Sequence, residues 1–232
     1  MHYLFDVDGT LTPSREKINP AFQQWFLGFA RTHTVSLVSG SDYQKTLEQL
    51  GPEIIDAVKF VFSCSGNVVR DNGDIVHEHS WSTPEPVLDY LKSELFTSPY
   101  EERFGRHFEH RTGMLNFSII GRNAKGRDRT DYFKWDLKHG ERERIAKTIN
   151  DTWPDLHAVV GGETGIDISS AGSDKSQVLG WIDDPEVMFF GDRTDPIGND
   201  YTISQATVMR RQGTFHTVTG WKDTWEILKK LA

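Results

Sequence analysis

Cysteine is nearly absent. The 232-residue chain has one, Cys64, so no internal disulfide can form, and this usage fits a reducing compartment. Long apolar runs are missing as well. No segment approaches the roughly 18 to 20 apolar residues that a membrane-spanning helix needs, and Asp6 and Asp8 interrupt the N-terminus before a signal-peptide core could form. A cytoplasmic protein is expected. Positive charge is in short supply, with 26 Lys and Arg against 34 Asp and Glu, a formal net charge of −8. That balance argues against a general nucleic-acid binder, whose affinity for the phosphate backbone is carried by Lys and Arg. The deficit is uneven. Residues 101–150 hold twelve Lys and Arg against eight Asp and Glu, so this stretch is +4 and the remainder is −12. Solvated faces account for most such side chains, but the clustering also suits an anion site on an otherwise acidic protein. What is present is the composition of a soluble globular chain, 37% apolar and 12% aromatic, long enough for one large domain or two small ones.

The apolar run Tyr3-Leu4-Phe5 reads as a buried strand that ends at Asp6-Val7-Asp8-Gly9-Thr10. A helix follows, with Asn19 as N-cap, Pro20 at the first helical position and Phe22, Trp25, Phe26 and Phe29 at helical spacing. Thr34 to Val38 is the next strand, closed by Ser39-Gly40-Ser41. Asp42 opens a helix to Leu50, and Lys59 to Phe62 resembles a short strand. This alternation implies a parallel sheet with covering helices. The middle of the chain reads differently. A helix from Pro84 to about Phe96, a strand at Leu115 to Ile120, a polar helix around Glu141 to Asn150 and strands near His157 to Val160 and Ile166 to Ile168 suggest an inserted α+β domain. The first pattern then resumes with a helix from about Lys175 to Ile182, the strand Val187 to Phe190 and an amphipathic helix from Trp221 to Leu231.

Chemistry concentrates at the strand ends. Residues two apart in a strand point to the same side, so Asp6 and Asp8 can face a common point above the sheet. Two close carboxylates stay ionised cheaply only when a cation neutralises them. Asp192 follows the apolar strand Val187 to Phe190 in the same way, with Asp195, Asn199 and Asp200 in the next turn. If that strand lies beside the first, Asp6, Asp8 and Asp192 converge on a metal, and oxygen ligands without cysteine favour Mg²⁺ over zinc. A carboxylate can attack phosphorus to form an aspartyl-phosphate while a neighbouring acid handles the proton. Asp6 is the candidate nucleophile, Asp8 the candidate general acid and base, and Lys175 a neutralising charge. For an isolated Asp-Gly pair a simple turn would be the better reading. The Asp-Val-Asp-Gly-Thr run directly after a strand, together with a second acidic turn, favours the metal site.

These residues resemble the signature of the haloacid dehalogenase-like phosphotransferases. The likeness narrows with Leu4 to Pro13, Gly40-Ser41-Asp42, Gly113-Met114-Leu115-Asn116, Ile120-Gly121-Arg122, Asp174-Lys175 and Phe189-Phe190-Gly191-Asp192 to Gly198-Asn199-Asp200. Taken in order from residue 3 to about 200, they are similar to the eukaryotic-type phosphomannomutase family. The resemblance implies a Rossmann-like α/β core of residues 1–80 and 171–232, with a mobile substrate-binding cap of residues 81–170. It also implies interconversion of mannose 6-phosphate and mannose 1-phosphate, with Mg²⁺ as cofactor, a hexose bisphosphate as activator and a homodimer formed through the cap. Carried over by position, the substrate contacts fall on Arg15, Ser41, Arg111, Asn116, Arg122, Arg129, Gly165 and Asp167, with Arg127 a rival to Arg129. Guanidinium forks grip phosphate bidentately, which suits an enzyme that must hold the sugar's distal phosphate. Three departures stand out. Gly165 replaces a family serine ahead of Asp167, Ser204-Gln205-Ala206 replaces an acidic loop for a structural cation, and Ser39 stands where glycine is common.

Other signals carry less. His107 with His110, and His77 with His79, lack the further partners a metal site requires. The Gly161-Gly162 pair lacks the surroundings of a nucleotide cradle. The seven tryptophans suit core packing, and Cys64 suits a small buried hydrophobe. Beside the mutase stand two alternatives, a sugar-phosphate phosphatase of the same fold and a catalytically silent sugar-phosphate binding protein.

Overall fold

A computed structural model describes residues 1–231. In chain order the elements are β1 His2–Asp6, α1 Pro20–Thr32, β2 Thr34–Val38, α2 Tyr43–Leu50, α3 Pro52–Ala57, β3 Phe60–Ser63, β4 Val68–Asp71, β5 Asp74–Glu78, α4 Glu85–Thr97, β6 Phe108–Arg111, β7 Met114–Phe117, α5 Gly126–His139 and α6 Glu141–Thr152. There follow β8 Leu156–Gly161, β9 Gly165–Ser170, β10 Val187–Gly191, α7 Tyr201–Val208, β11 Thr214–Thr217 and α8 Trp221–Leu231. The fold is α/β, with two sheets.

The larger sheet has the order β11-β10-β1-β2-β3-β4-β5. Its first five strands are parallel, and β4 and β5 extend it as an antiparallel edge. The central strands are buried on both faces, which is why they read as unbroken apolar runs. Phe5, Leu37 and Phe190 pack with Phe22, Phe26 and Leu228 on one side, whereas Leu4, Val38 and Phe189 pack with Val178 and Ile203 on the other. Asn19 caps α1 by accepting hydrogen bonds from the amides of Ala21 and Phe22, and Asp42 caps α2 by accepting from the amide of Lys45.

The second sheet is antiparallel, in the order β6-β7-β9-β8. Leu115, Phe117, Ile166 and Ile168 point to one face and form a separate core with Tyr132, Ile145 and Ile149 of α5 and α6. The opposite face is polar and overlooks the carboxyl ends of β1, β2 and β10.

Several segments differ from expectation. The segment after Asp174 is a 3-10 helix, Lys175–Trp181. Helix α5 has no apolar stripe to betray it, because its buried residues are Arg129, Tyr132 and Asp136. Strand β6 is a half-buried edge with the polar sequence Phe-Glu-His-Arg, and α7 buries Ser204 and Thr207 beside Ile203.

Candidate functional site

Strand β1 ends at Asp6, and β10 ends at Gly191 one residue before Asp192. Because β10 pairs directly with β1, the two acids emerge side by side. Gly9 permits the close approach. It holds φ +84, and a Cβ there would overlap the Asp192 carboxylate. Ligand oxygens of Asp6, Asp192 and Asp200 all lie within 4.8 Å of one another. Lys175 Nζ donates to Asp6 Oδ1 and to Asp200 Oδ1, both at 2.6 Å, and is itself only 1% exposed. Burial works against the ammonium, yet the charges of Asp200 and Asp6 hold its pKa above the ordinary lysine value. Burial likewise pushes Asp6 well up, opposed by Lys175 and aided by Asp200 and Asp192. Asp192 rises to about 7, from burial first and the Asp200 charge second. Three carboxylates share one ammonium, which leaves the excess negative charge and hard oxygen donors that suit a divalent cation such as Mg²⁺.

Asp8 does not join this group by its side chain. The strand alternation that would have paired it with Asp6 stops at Asp6, and Asp8 sits in the following turn. Its Oδ1 accepts from the Arg15 amide at 2.5 Å and from Gln49 Nε2 at 3.0 Å, and its Oδ2 accepts from Ser41 Oγ at 3.4 Å. Arg15 achieves this with φ 63, an uncommon conformation for a residue with a side chain. Gln49, 2% exposed on α2, is a contact the sequence pattern concealed.

Asp6 and Asp8 share one cavity with Arg15, Ser41, Arg111, Asn116, Arg122, Arg129, Asp167 and Asp192. Of the expected site residues, Lys175 lies behind Asp6, and Gly165 lies beneath Asn116 instead of at the cavity wall. The four-stranded sheet explains the grouping. Cross-strand pairing sets Glu109, Asn116 and Asp167 in one row on β6, β7 and β9, on the polar face turned towards the larger sheet.

Glu109 carries no sequence signal, because the half-buried Phe-Glu-His-Arg of β6 lacks the apolar pattern of a strand. Its Oε2 accepts from Arg111 Nη2 at 2.6 Å and from Arg122 Nε at 2.9 Å. Burial would raise its pKa, but Arg111 and Arg122 outweigh that and hold it down to about 2. Burial and the neighbouring Arg111 charge lower Arg122 to about 10, which marks this wall as short of anions. Arg111 also donates to the Gly40 carbonyl at 2.6 Å, which ties the second sheet to the β2 loop. Arg129 donates to Glu163 at 3.1 Å and faces the cavity, whereas Arg127, with a side chain 90% exposed, pairs with Asp131. Of the histidines set aside above, His107 Nδ1 bonds the Ser118 carbonyl and His110 is exposed. Cys64 is buried, and burial pushes its thiol up to about 11.

A sequence profile described as eukaryotic phosphomannomutase matches residues 23–232. A phosphomannomutase of Dendrobium officinale is 33% identical over 235 residues, covering 97% of this chain and 92% of its own. A phosphomannomutase of Saccharomyces cerevisiae is 33% identical over 239 residues, covering 98% and 92%. Among solved structures, a haloacid dehalogenase-like hydrolase from Bacteroides thetaiotaomicron shares the fold with a TM-score of 0.62 at 12% identity, over 100% of this chain and 99% of that one.

Proposed function

The chain belongs to the eukaryotic phosphomannomutase family, and on that footing we propose that it interconverts mannose 6-phosphate and mannose 1-phosphate through an aspartyl-phosphate on Asp6. One observation carries the reading: a single cavity is lined by the acids Asp6 and Asp8 and by the guanidiniums of Arg15, Arg111, Arg122 and Arg129. A phosphatase acting on one phosphate has little use for so many forks. A mutase must hold the sugar's distal phosphate while the other end reacts, and must then receive the turned molecule.

In this scheme an Asp6 carboxylate oxygen attacks phosphorus, the bond from phosphorus to the sugar oxygen breaks, and Asp8 delivers the proton that this oxygen needs. In the reverse half a hydroxyl oxygen of a bound sugar monophosphate attacks the aspartyl-phosphate, its proton passes to Asp8, and the Asp6 carboxylate is restored. The product is a hexose bisphosphate, which turns within the cavity and returns its other phosphoryl group to Asp6. A bisphosphate supplied from outside would start the cycle. Arg15 holds Asp8 through its backbone amide, Ser41 and Gln49 fix the same carboxylate, and Lys175 keeps Asp6 in place. Asp6, Asp192 and Asp200 would hold the Mg²⁺, which when bound offsets the phosphoryl charge.

Residues 81–170 would act as the cap that carries the arginines to and from the core. Among the described residues no helix is long and apolar enough to cross a membrane, in line with a cytoplasmic enzyme. Phe96 on α4 and Leu137 on α5 are 90% and 69% exposed, apolar surface that supports a homodimer formed through the cap. Sedimentation equilibrium checks this, and a strictly monomeric protein would refute it. The activity is tested with mannose 1-phosphate, Mg²⁺ and a hexose bisphosphate. Isomer without net phosphate release is expected. Stoichiometric free phosphate would make the protein a phosphatase, and binding without turnover would make it a silent binder.

A further inference from the structure

Helices α5 and α6 bury an ion pair between them. Arg142, with a side chain 3% exposed, donates from Nε to Asp136 Oδ2 at 2.7 Å, and its backbone amide donates to Asp136 Oδ1 at 2.9 Å. Replacing such a pair by apolar residues of similar volume is commonly neutral or stabilising, so stability alone is a weak reason for its presence. A further donor points to another. Arg142 Nη1 reaches out of the helix pair to the turn between β8 and β9, where it donates to the Gly162 carbonyl at 2.9 Å and to that of Gly165 at 3.4 Å.

The same Gly162 carbonyl accepts from a second guanidinium. Arg193, directly after Asp192, donates to it from Nη1 at 3.4 Å, and a carbonyl oxygen has lone pairs for both. Arg193 is tied to the acids by its backbone, because its amide donates to Asp200 Oδ2 at 3.2 Å and its carbonyl accepts from the Asp200 amide at 3.0 Å. A bridge between Val160 and Gly198 seats the end of β8 on the same loop. The turn itself carries Glu163 and Thr164. Glu163 Oε2 accepts from Arg129 Nε at 3.1 Å, and Thr164 Oγ1 accepts from Arg129 Nη1 at 3.4 Å. A hairpin tip is ordinarily among the looser parts of a fold, but this one is gripped at one carbonyl from two sides.

We propose that Arg142 and Arg193 are positioning residues that fix the β8–β9 turn through the shared Gly162 carbonyl, and that the turn so held sets Arg129 for the sugar's distal phosphate. The proposal rests on the sugar-phosphate reading above and adds to it the linkage that keeps the acid cluster and one guanidinium of the phosphate wall at a set distance. Such a linkage matters because a misplacement of about 1 Å, caused by a change remote from the chemistry, can cost about 100-fold in rate. Arg193 also borders the cavity, so its direct contact with phosphate is the competing account.

The test combines the apolar exchange Asp136→Leu with Arg142→Met, and separately Arg193→Ala, with Arg129→Ala. The exchange is expected to leave the melting temperature near that of wild type. It should raise KM for mannose 1-phosphate about 10-fold, with little change in kcat or in the hydrolysis of p-nitrophenyl phosphate. Arg193→Ala should raise the same KM by a similar factor. Neither change should add to the KM of Arg129→Ala, because each acts through that guanidinium. An unaltered KM in either variant, or losses that multiply with Arg129→Ala, would overturn the proposal. Where the exchange fails to fold, Arg193→Ala and its combination with Arg129→Ala decide alone by the same two criteria. If the wild type isomerises no sugar phosphate, the functional reading falls, and the linkage is then judged by calorimetry with inorganic phosphate. Its affinity should drop about 10-fold in the same variants and no further on the Arg129→Ala background; an undiminished affinity would overturn the linkage as well.

Discussion

Glu109 accepts hydrogen bonds from both Arg111 and Arg122, whose side chains are 8% and 9% exposed. A glutamine there leaves two nearly buried guanidiniums short of a negative charge. Glu109→Gln is expected to lower stability by about 2 to 3 kcal/mol, at or below the usual cost of breaking a buried ion pair because the Glu109 side chain is 20% exposed. Added inorganic phosphate should restore more stability to the variant than it adds to the wild type, by supplying the missing anion. Thermal unfolding with and without phosphate checks both, and a variant indifferent to phosphate would refute the second. If Asp6 is the nucleophile, Asp6→Asn should cut turnover of sugar phosphate and aryl phosphate alike by about 10³-fold or more. Steady-state assays on both substrates read that directly. Near-normal rates would exclude a covalent path through Asp6.

At the level of strands and helices, β1 carries a pH sensor of its own stability. His2 is buried, its Nε2 lies 2.8 Å from Ser36 Oγ on β2, and burial lowers its pKa from 6.5 to about 4. Between those values the unfolded chain takes up a proton that the native strand refuses, so the native state loses stability as pH falls from 6.5 towards 4. The loss attributable to this residue is roughly 2 to 3 kcal/mol. His2→Gln retains a polar partner for Ser36 without titrating there, and denaturant unfolding across this range should show a flatter slope. An unchanged slope would count against the assignment. Elements with apolar periodicity were legible in the sequence: β1, β2, α1 and α8 follow directly from their residues, and the capping roles of Asn19 and Asp42 follow from their side-chain oxygens. Elements that bury polar residues were not. Helix α5 hid behind Arg129, Tyr132 and Asp136, and with β6 unrecognised, Glu109 remained invisible as a partner of the arginines. The carboxylate cluster was legible as a class, but the choice between Asp8 and Asp200 turned on where a strand stops, which a two-residue period does not encode.

Across the whole molecule the site is divided between two sheets, with the acids at the ends of β1 and β10 and most of the guanidinium forks on or beside the four-stranded sheet. Changes on the four-stranded side should therefore affect sugar-phosphate isomerisation and aryl phosphate hydrolysis unequally. Arg122→Ala is expected to reduce mannose-phosphate isomerisation about 100-fold while affecting hydrolysis of a small aryl phosphate only a few fold, because only the former needs a distal grip. Parallel losses would argue that Arg122 serves the reacting phosphate instead.

The bond between Lys175 and Asp6 spans 169 positions of the chain. β2 follows β1 closely in the sequence, but the other neighbour of β1, β10, and the ammonium that makes burial of the Asp6 carboxylate tolerable come only after the second sheet. An acid entering an apolar interior alone is costly. Completion of β1 therefore depends on residues 175–191, and the acidic cluster is closed only by contacts of long sequence separation.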